Sequence, residues 1–164
     1  MSDPYAPYFD TSGCLVTPAR PAIAYQPARI EQRAVTGWNA GANSIDQLDG
    51  DLHVVFAMPM GVAGVVLGLK GSRRKQTVPE LIEHGFYFQS LGGTNLVQII
   101  ERGVAKSTNA ARAANDTFEI RRVGGAVTYL KNNVRIYSSS QPSRGPLVVN
   151  TCLYASGDAV GGST

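Results

Sequence analysis

The sequence predicts an all-β, antiparallel sandwich preceded by an extended N-terminal arm. Three observations lead there. From Trp38 onward, short segments alternate apolar and polar residues with a period of two. Turn-forming dipeptides separate several of them, at Gly92-Gly93, Gly124-Gly125 and Asn132-Asn133. The chain also lacks the long helical crossovers that a parallel α/β sheet needs.

Residues 1–35 read as the arm. Five of the nine prolines fall here: Pro4, Pro7, Pro18, Pro21 and Pro27. Proline fixes φ and removes a backbone donor, so the stretch should be extended rather than helical. Tyr5, Tyr8, Phe9 and Tyr25 lie among the prolines. That is more aromatic character than a disordered tail usually carries. The expectation is an arm that packs along a surface, its own or a partner's, with these four rings as contacts. Residues 36–164 then form the sandwich.

The strands follow in order. "DLHVVFAM" (51–58) puts Leu52, Val54, Phe56 and Met58 on one face. "GVVLGLK" (64–70) does the same with Val65, Leu67 and Leu69. "GFYFQS" (85–90) aligns Phe86 with Phe88, and "LVQII" (96–100) aligns Val97 with Ile99. "TFEIRR" (117–122) should bury Phe118 and Ile120, and "AVTYL" (126–130) Val127 and Tyr129. "VRIYSS" (134–139) should bury Val134 and Ile136. "PLVVNTCLYA" (146–155) places Leu147, Val149, Thr151 and Leu153 on one face. Arg121, Arg122, Thr128 and Lys131 are expected to face water or a partner. About eight strands at this spacing is the pattern of a sandwich or barrel.

One short helix is expected at "TVPELIEHG" (77–85), with Thr77 as N-cap, Pro79 in the first turn and Gly85 as the stop. "STNAARAAND" (107–116) reads as a surface loop despite its alanines.

Composition narrows the function classes. A chain of 164 residues suffices for one domain and an arm. The net charge of +3 is too small to imply nucleic acid. No run approaches the roughly 18 apolar residues of a membrane helix. "MSDPYAPYFD" has no basic or apolar signal region, so maturation in a cytoplasm is expected. Cys14 and Cys152 stand far apart and form neither a disulfide framework nor a zinc pattern, so both are expected to be reduced.

Residues 116–158 resemble a signature of jelly-roll sandwiches of the concanavalin A-like lectin/glucanase fold. The matching residues are Asp116, Val127-Thr128-Tyr129, Lys131-Asn132, Tyr137, Ser139 and Leu153-Tyr154. The chain departs at Asn133, where glycine is usual, although Asn also tolerates a positive φ. Trp38, Ser44 and Asp49-Gly50-Asp51 are similar to the first strands of that family, so the likeness spans roughly residues 37–160. Modules of this kind occur in bacterial surface proteins and in phage tail and fibre proteins. The resemblance, with the missing signal and the proline-rich arm, implies a structural virion component. That component would be a homo-oligomeric tail or baseplate protein, made in the host cytoplasm and binding other tail proteins. The alternative is a carbohydrate-binding module that attaches to a cell-surface glycan.

An enzyme is not expected. Glucanases of this fold use a Glu-x-Asp-x-x-Glu type motif around the scissile bond, and no such motif is present. Glu101 and Glu119 read as isolated, exposed strand residues, and Glu80 and Glu83 as solvated helix residues. His53 and His84 have no His or Cys partner at metal-ligand spacing, and His84 fits a cation at a helix C-terminus. "DQLDGD" (46–51) is similar to a calcium loop only in its Asp46, Asp49 and Asp51 spacing, and reads as a solvated turn. No cofactor is expected. The densest basic cluster, Lys70, Arg73, Arg74 and Lys75, is the candidate contact for an acidic ligand or partner. Trp38, the single tryptophan, is expected to plug one end of the sandwich.

Overall fold

The structure is a computed structural model and describes residues 9–10, 14–17, 29–32, 36–44, 47–72, 74 and 76–160. Its strands begin with β1 (Phe9–Asp10), β2 (Cys14–Thr17), β3 (Arg29–Gln32), β4 (Ala40–Ser44) and β5 (Leu52–Ala57). Next come β6 (Val65–Lys70), β7 (His84–Leu91), β8 (Thr94–Glu101), β9 (Val104–Ala105) and β10 (Ala110–Ala111). The last are β11 (Thr117–Val123), β12 (Ala126–Lys131), β13 (Val134–Ser138), β14 (Val148–Leu153) and β15 (Ala159–Val160). The larger sheet runs β1-β4-β14-β6-β7-β8-β10, with β9 also on β8. The smaller runs β13-β12-β11-β5, and β15-β3-β2 make a three-stranded sheet. The pairings between these strands are antiparallel.

The two main sheets pack face to face, as the alternation predicts. Phe86 and Phe88 of β7 meet Phe118 of β11 and Tyr129 of β12, with ring centroids 5.0–5.3 Å apart. All four rings are fully buried. Replacing one such ring by alanine costs about 3–5 kcal/mol, so this cluster dominates the core. The three expected turns are present, with positive φ at both residues of Gly92-Gly93, Gly124-Gly125 and Asn132-Asn133.

Central strands are covered on both faces, which one-face alternation does not anticipate. β6 and most of β14 are buried at every position. Leu67, Leu69 and Leu153 join the core between the sheets. Val66 and Cys152 join Ile82 and Ile100 in a second apolar cluster on the outer face of the larger sheet. The segment following β6 supplies that cover. It lies against glycines because no side chain would fit: a Cβ on Gly68 would stand 2.1 Å from the His84 carbonyl, and one on Gly41 2.3 Å from that of Gln76.

That covering segment corrects the expected helix. Only a 3-10 turn forms, Pro79–Leu81, and its N-cap is Val78 rather than Thr77. Ile82 goes extended, is fully buried and packs beside Gly68 and Gly85, while the Glu83 N–H donates to the Leu69 carbonyl. Burying Ile82 and joining the sheet outweigh a helix too short to be stable alone. Gly85 is therefore a strand residue, and His84 opens β7 instead of ending a helix.

Three further expectations are corrected. Val134 and Ile136 are exposed, because β13 shifts register at Tyr129/Leu130 and sets Tyr137 opposite Tyr129. Arg122 is buried rather than solvated. Glu101 and Glu119 are buried, each among partners of its own.

Candidate functional site

The covering segment leaves part of the outer face open. Cross-strand register aligns Cys152, Val66, Tyr87 and Gln98 in one row there. The next row holds Asn150, Gly68, Gly85 and Ile100. Trp38 stands over the first row, with its ring centroid 6.1 Å from Tyr87 and 5.2 Å from Tyr154, the planes tilted by 59° and 54°. Gly37 N–H donates to the Tyr154 carbonyl at 2.7 Å, and Tyr154 N–H to the Gly64 carbonyl at 2.9 Å. These bonds tie the backbone beside Trp38 and that of Tyr154 to the sheet, and Tyr87 projects from β7 itself.

A groove of about 240 Å³ runs beside the rings, bounded by Trp38, Pro79, Glu80, Tyr87, Gln98 and Gly103. Its apolar floor includes Val66 and Ile100. The Arg102-Gly103 turn closes one side, both residues with positive φ. Arg102 N–H donates to the Ile82 carbonyl, and Gly103 sits so near Glu80 that a Cβ would stand 2.9 Å from its Cγ. Gln98 donates to the Ser107 carbonyl at 2.8 Å, and Gln89 to Asn109 at 3.1 Å. The groove thus offers an apolar floor, an aromatic wall, an amide and one carboxylate. The flat C–H face of a sugar ring packs on such rings while its hydroxyls meet the polar groups. Burial raises the Tyr87 pKa, with Tyr154 and Asp158 adding to the effect, so its phenol stays neutral.

Trp38 is half-buried on this outer face, which corrects its expected place at the end of the sandwich. The basic cluster divides. Lys70 is buried and its ammonium donates to the Ser72 and Arg74 carbonyls, so it ties down the loop instead of meeting a ligand. Burial lowers its pKa against the opposing pull of Cys152 and Glu83. Arg74 is exposed, and Arg73 and Lys75 lie outside the described residues. So do Tyr5, Tyr8 and Tyr25, while Phe9 pairs with Ser44 in β1.

The aspartates of 46–51 are engaged in turns. Asp49 accepts from Gly50 N–H and Asp51 from Gly124 N–H, while Asp46 lies outside the described residues. The cation beside them is Arg122, 3.8 Å from Asp49. Among the described residues no three His, Cys, Asp or Glu side chains group as metal ligands. Cys152 is a free, buried thiol, its pKa pushed up to about 12 chiefly by burial.

Sequence reasoning missed Tyr87, Tyr154, Gln98 and the buried Glu101. A signal for Tyr87 existed: β7 carries large apolar residues at both parities, Phe86 and Phe88 on one and Tyr87 on the other. That pattern marks a strand with work on both faces.

No protein-family model and no curated protein sequence matches the chain. Solved structures do. The TRIM65 PSpry domain aligns over 96% of this chain and 92% of its own, with a TM-score of 0.60 and 10% identity. The Crh5 transglycosylase, in its apo form, aligns over 89% and 63%, with a TM-score of 0.56 and 14% identity. The exoplasmic/lumenal domain of VIP36, in a Ca²⁺/Man3GlcNAc-bound form, aligns over 97% and 83%, with a TM-score of 0.50 and 11% identity. At these identities the likeness is one of fold. The chain is an antiparallel jelly-roll β-sandwich, the fold it shares with these structures.

Proposed function

We propose that this chain is a non-enzymatic glycan-binding sandwich whose sugar site is the outer-face groove of Trp38, Tyr87, Gln98 and Glu80. The observation that carries the reading is the fixed triad of Trp38, Tyr87 and Tyr154 beside an apolar-floored groove of sugar size. VIP36, a fold neighbour bound to Man3GlcNAc, supports it as an analogy. The non-enzymatic part rests on the groove lining, which among the described residues holds a single carboxylate, Glu80, where glycoside hydrolysis uses a pair.

The test is a glycan array of the purified protein, followed by titration of a binding glycan. Trp38 is the only tryptophan, so its fluorescence reports on the groove directly. Tyr87→Ala should weaken binding about tenfold or more, as loss of a central aromatic contact does. A blank array, or a bound glycan indifferent to Tyr87→Ala, refutes the reading.

A homo-oligomeric tail or baseplate subunit is the second reading, and it rests on the resemblance of residues 116–158 together with the proline- and tyrosine-rich arm of residues 1–35. The described strands of that arm pair within this chain, β1 with β4, β2 with β3, and β3 with β15.

A further inference from the structure

The hairpin from Glu101 to Lys106 has two sides. Gly103 and Ala105 line the groove, whereas Arg102, Val104 and Lys106 line a second cavity of about 330 Å³. His84 and Glu101 form its buried end, and Glu83 and Gln141 also line it. The sugar reading uses none of these groups.

Glu101 is the unusual member. It is 4% exposed. Its Oε1 accepts a hydrogen bond from the Tyr129 hydroxyl at 3.1 Å and lies 3.4 Å from His84 Nδ1. Its Oε2 is buried and has no hydrogen-bond partner among the described residues. Nor, among the described residues, does a Lys or Arg stand within ion-pair distance of it. Burial lowers the His84 pKa and leaves the imidazole neutral at pH 7, and burial keeps the Tyr129 phenol neutral. Arg102 turns instead to Glu83, 3.9 Å from its Oε1. An unpaired, buried carboxylate is costly, and native proteins rarely tolerate one beside an accessible cavity without a use.

We propose that this cavity binds a primary ammonium group carried on a small polar ligand, with the buried Glu101 carboxylate as its counter-charge. A hydroxyl or a water supplies the hydrogen bond but not the positive charge. A hard metal ion wants several oxygen ligands, and the cavity lacks the ligand set. Arg102 and Lys106 at the outer end disfavour a second positive charge, so the rest of the ligand is neutral or anionic.

The experiment titrates ethanolamine, and ethylene glycol as its uncharged match, into the ¹⁵N-labelled full chain at neutral pH. Ethanolamine should shift the amides of His84, Glu101 and Lys106, and ethylene glycol should leave them in place. Glu101→Gln should weaken the ethanolamine response at least tenfold without altering the response of Trp38 fluorescence to a glycan that binds the groove. Neither probe has a sugar ring to stack in the groove, so the two sites can fail separately. Equal shifts from both compounds, no shift from either, or an unchanged titration in Glu101→Gln overturns the proposal. If Glu101→Gln does not fold, Val104→Trp serves. Val104 is 57% exposed, so the fold tolerates bulk there, and the indole narrows the mouth. Persistence of the ethanolamine shifts in that variant overturns the proposal equally.

Discussion

The backbone of Gly64 lies against Tyr154 so closely that a Cβ on Gly64 would stand 2.8 Å from the Tyr154 Cβ and 3.4 Å from the Trp38 ring. The aromatic triad therefore rests on a missing side chain. Gly64→Ala should tip Tyr154 and Trp38 away from the sheet. The expected cost is about 1–3 kcal/mol, typical of overpacking a buried site. Trp38 emission should shift to the red as the ring gains water, and glycan affinity should fall by about tenfold. Thermal unfolding and fluorescence of the variant read both effects. An unchanged melting temperature with unchanged emission contradicts the packing described.

Much of the sandwich was legible in the sequence, and the reasons divide by residue. Phe118, Ile120, Val127 and Tyr129 were legible because alternation reports the core face of a two-faced strand. The Asn132-Asn133 turn was legible because few residues tolerate two positive φ angles in succession. The outer face was not. Val66, Cys152 and Tyr87 share it with Gly68 and Gly85, and glycines look like turns or weak strand positions until a covering segment is seen lying on them. Lys70 and Arg122 misled for a related reason. Charge alone reads as solvated surface, whereas each of these side chains reaches main-chain carbonyls from inside the fold. Glu101 was hidden because its partners His84 and Tyr129 come from two other strands, one in each sheet.

Acid should destabilise the fold through His84. Burial lowers its pKa, opposed by the attraction of Glu101 and Glu83 and aided by Arg102. Above about pH 6.5, the value of an unfolded histidine, both states are neutral and the full stability is present. As the pH falls below that, the unfolded chain takes up the proton first and stability declines. The decline levels off once the pH is below the folded value. His84→Gln should abolish this segment of the pH dependence. Urea midpoints of parent and variant between pH 8 and pH 5 test it, and parallel curves would exclude His84 as the source.

Arg122 should matter more than the exposed Arg74 of the basic cluster. Its Nε donates to the Gly50 carbonyl at 2.8 Å, and Nη1 to Ser143 Oγ at 3.1 Å and the Gly145 carbonyl at 2.8 Å. One buried guanidinium thus ties the turn before β5 and the segment before β14 to β11. Arg122→Ala leaves those acceptors unpaired and should cost about 3–5 kcal/mol. Arg122→Lys should recover less than half of that, because one ammonium cannot reproduce the spread of the planar fork. Asp49→Asn is the matched control. Asp49 is 70% exposed and 3.8 Å from Nη2, so its loss should cost less than about 1 kcal/mol. Chemical denaturation of the three variants orders them. If Arg122→Lys matches the parent, the fork geometry is irrelevant and the residue serves only as a charge; if Asp49→Asn costs as much as Arg122→Ala, the ion pair rather than the carbonyl bonds holds the turns.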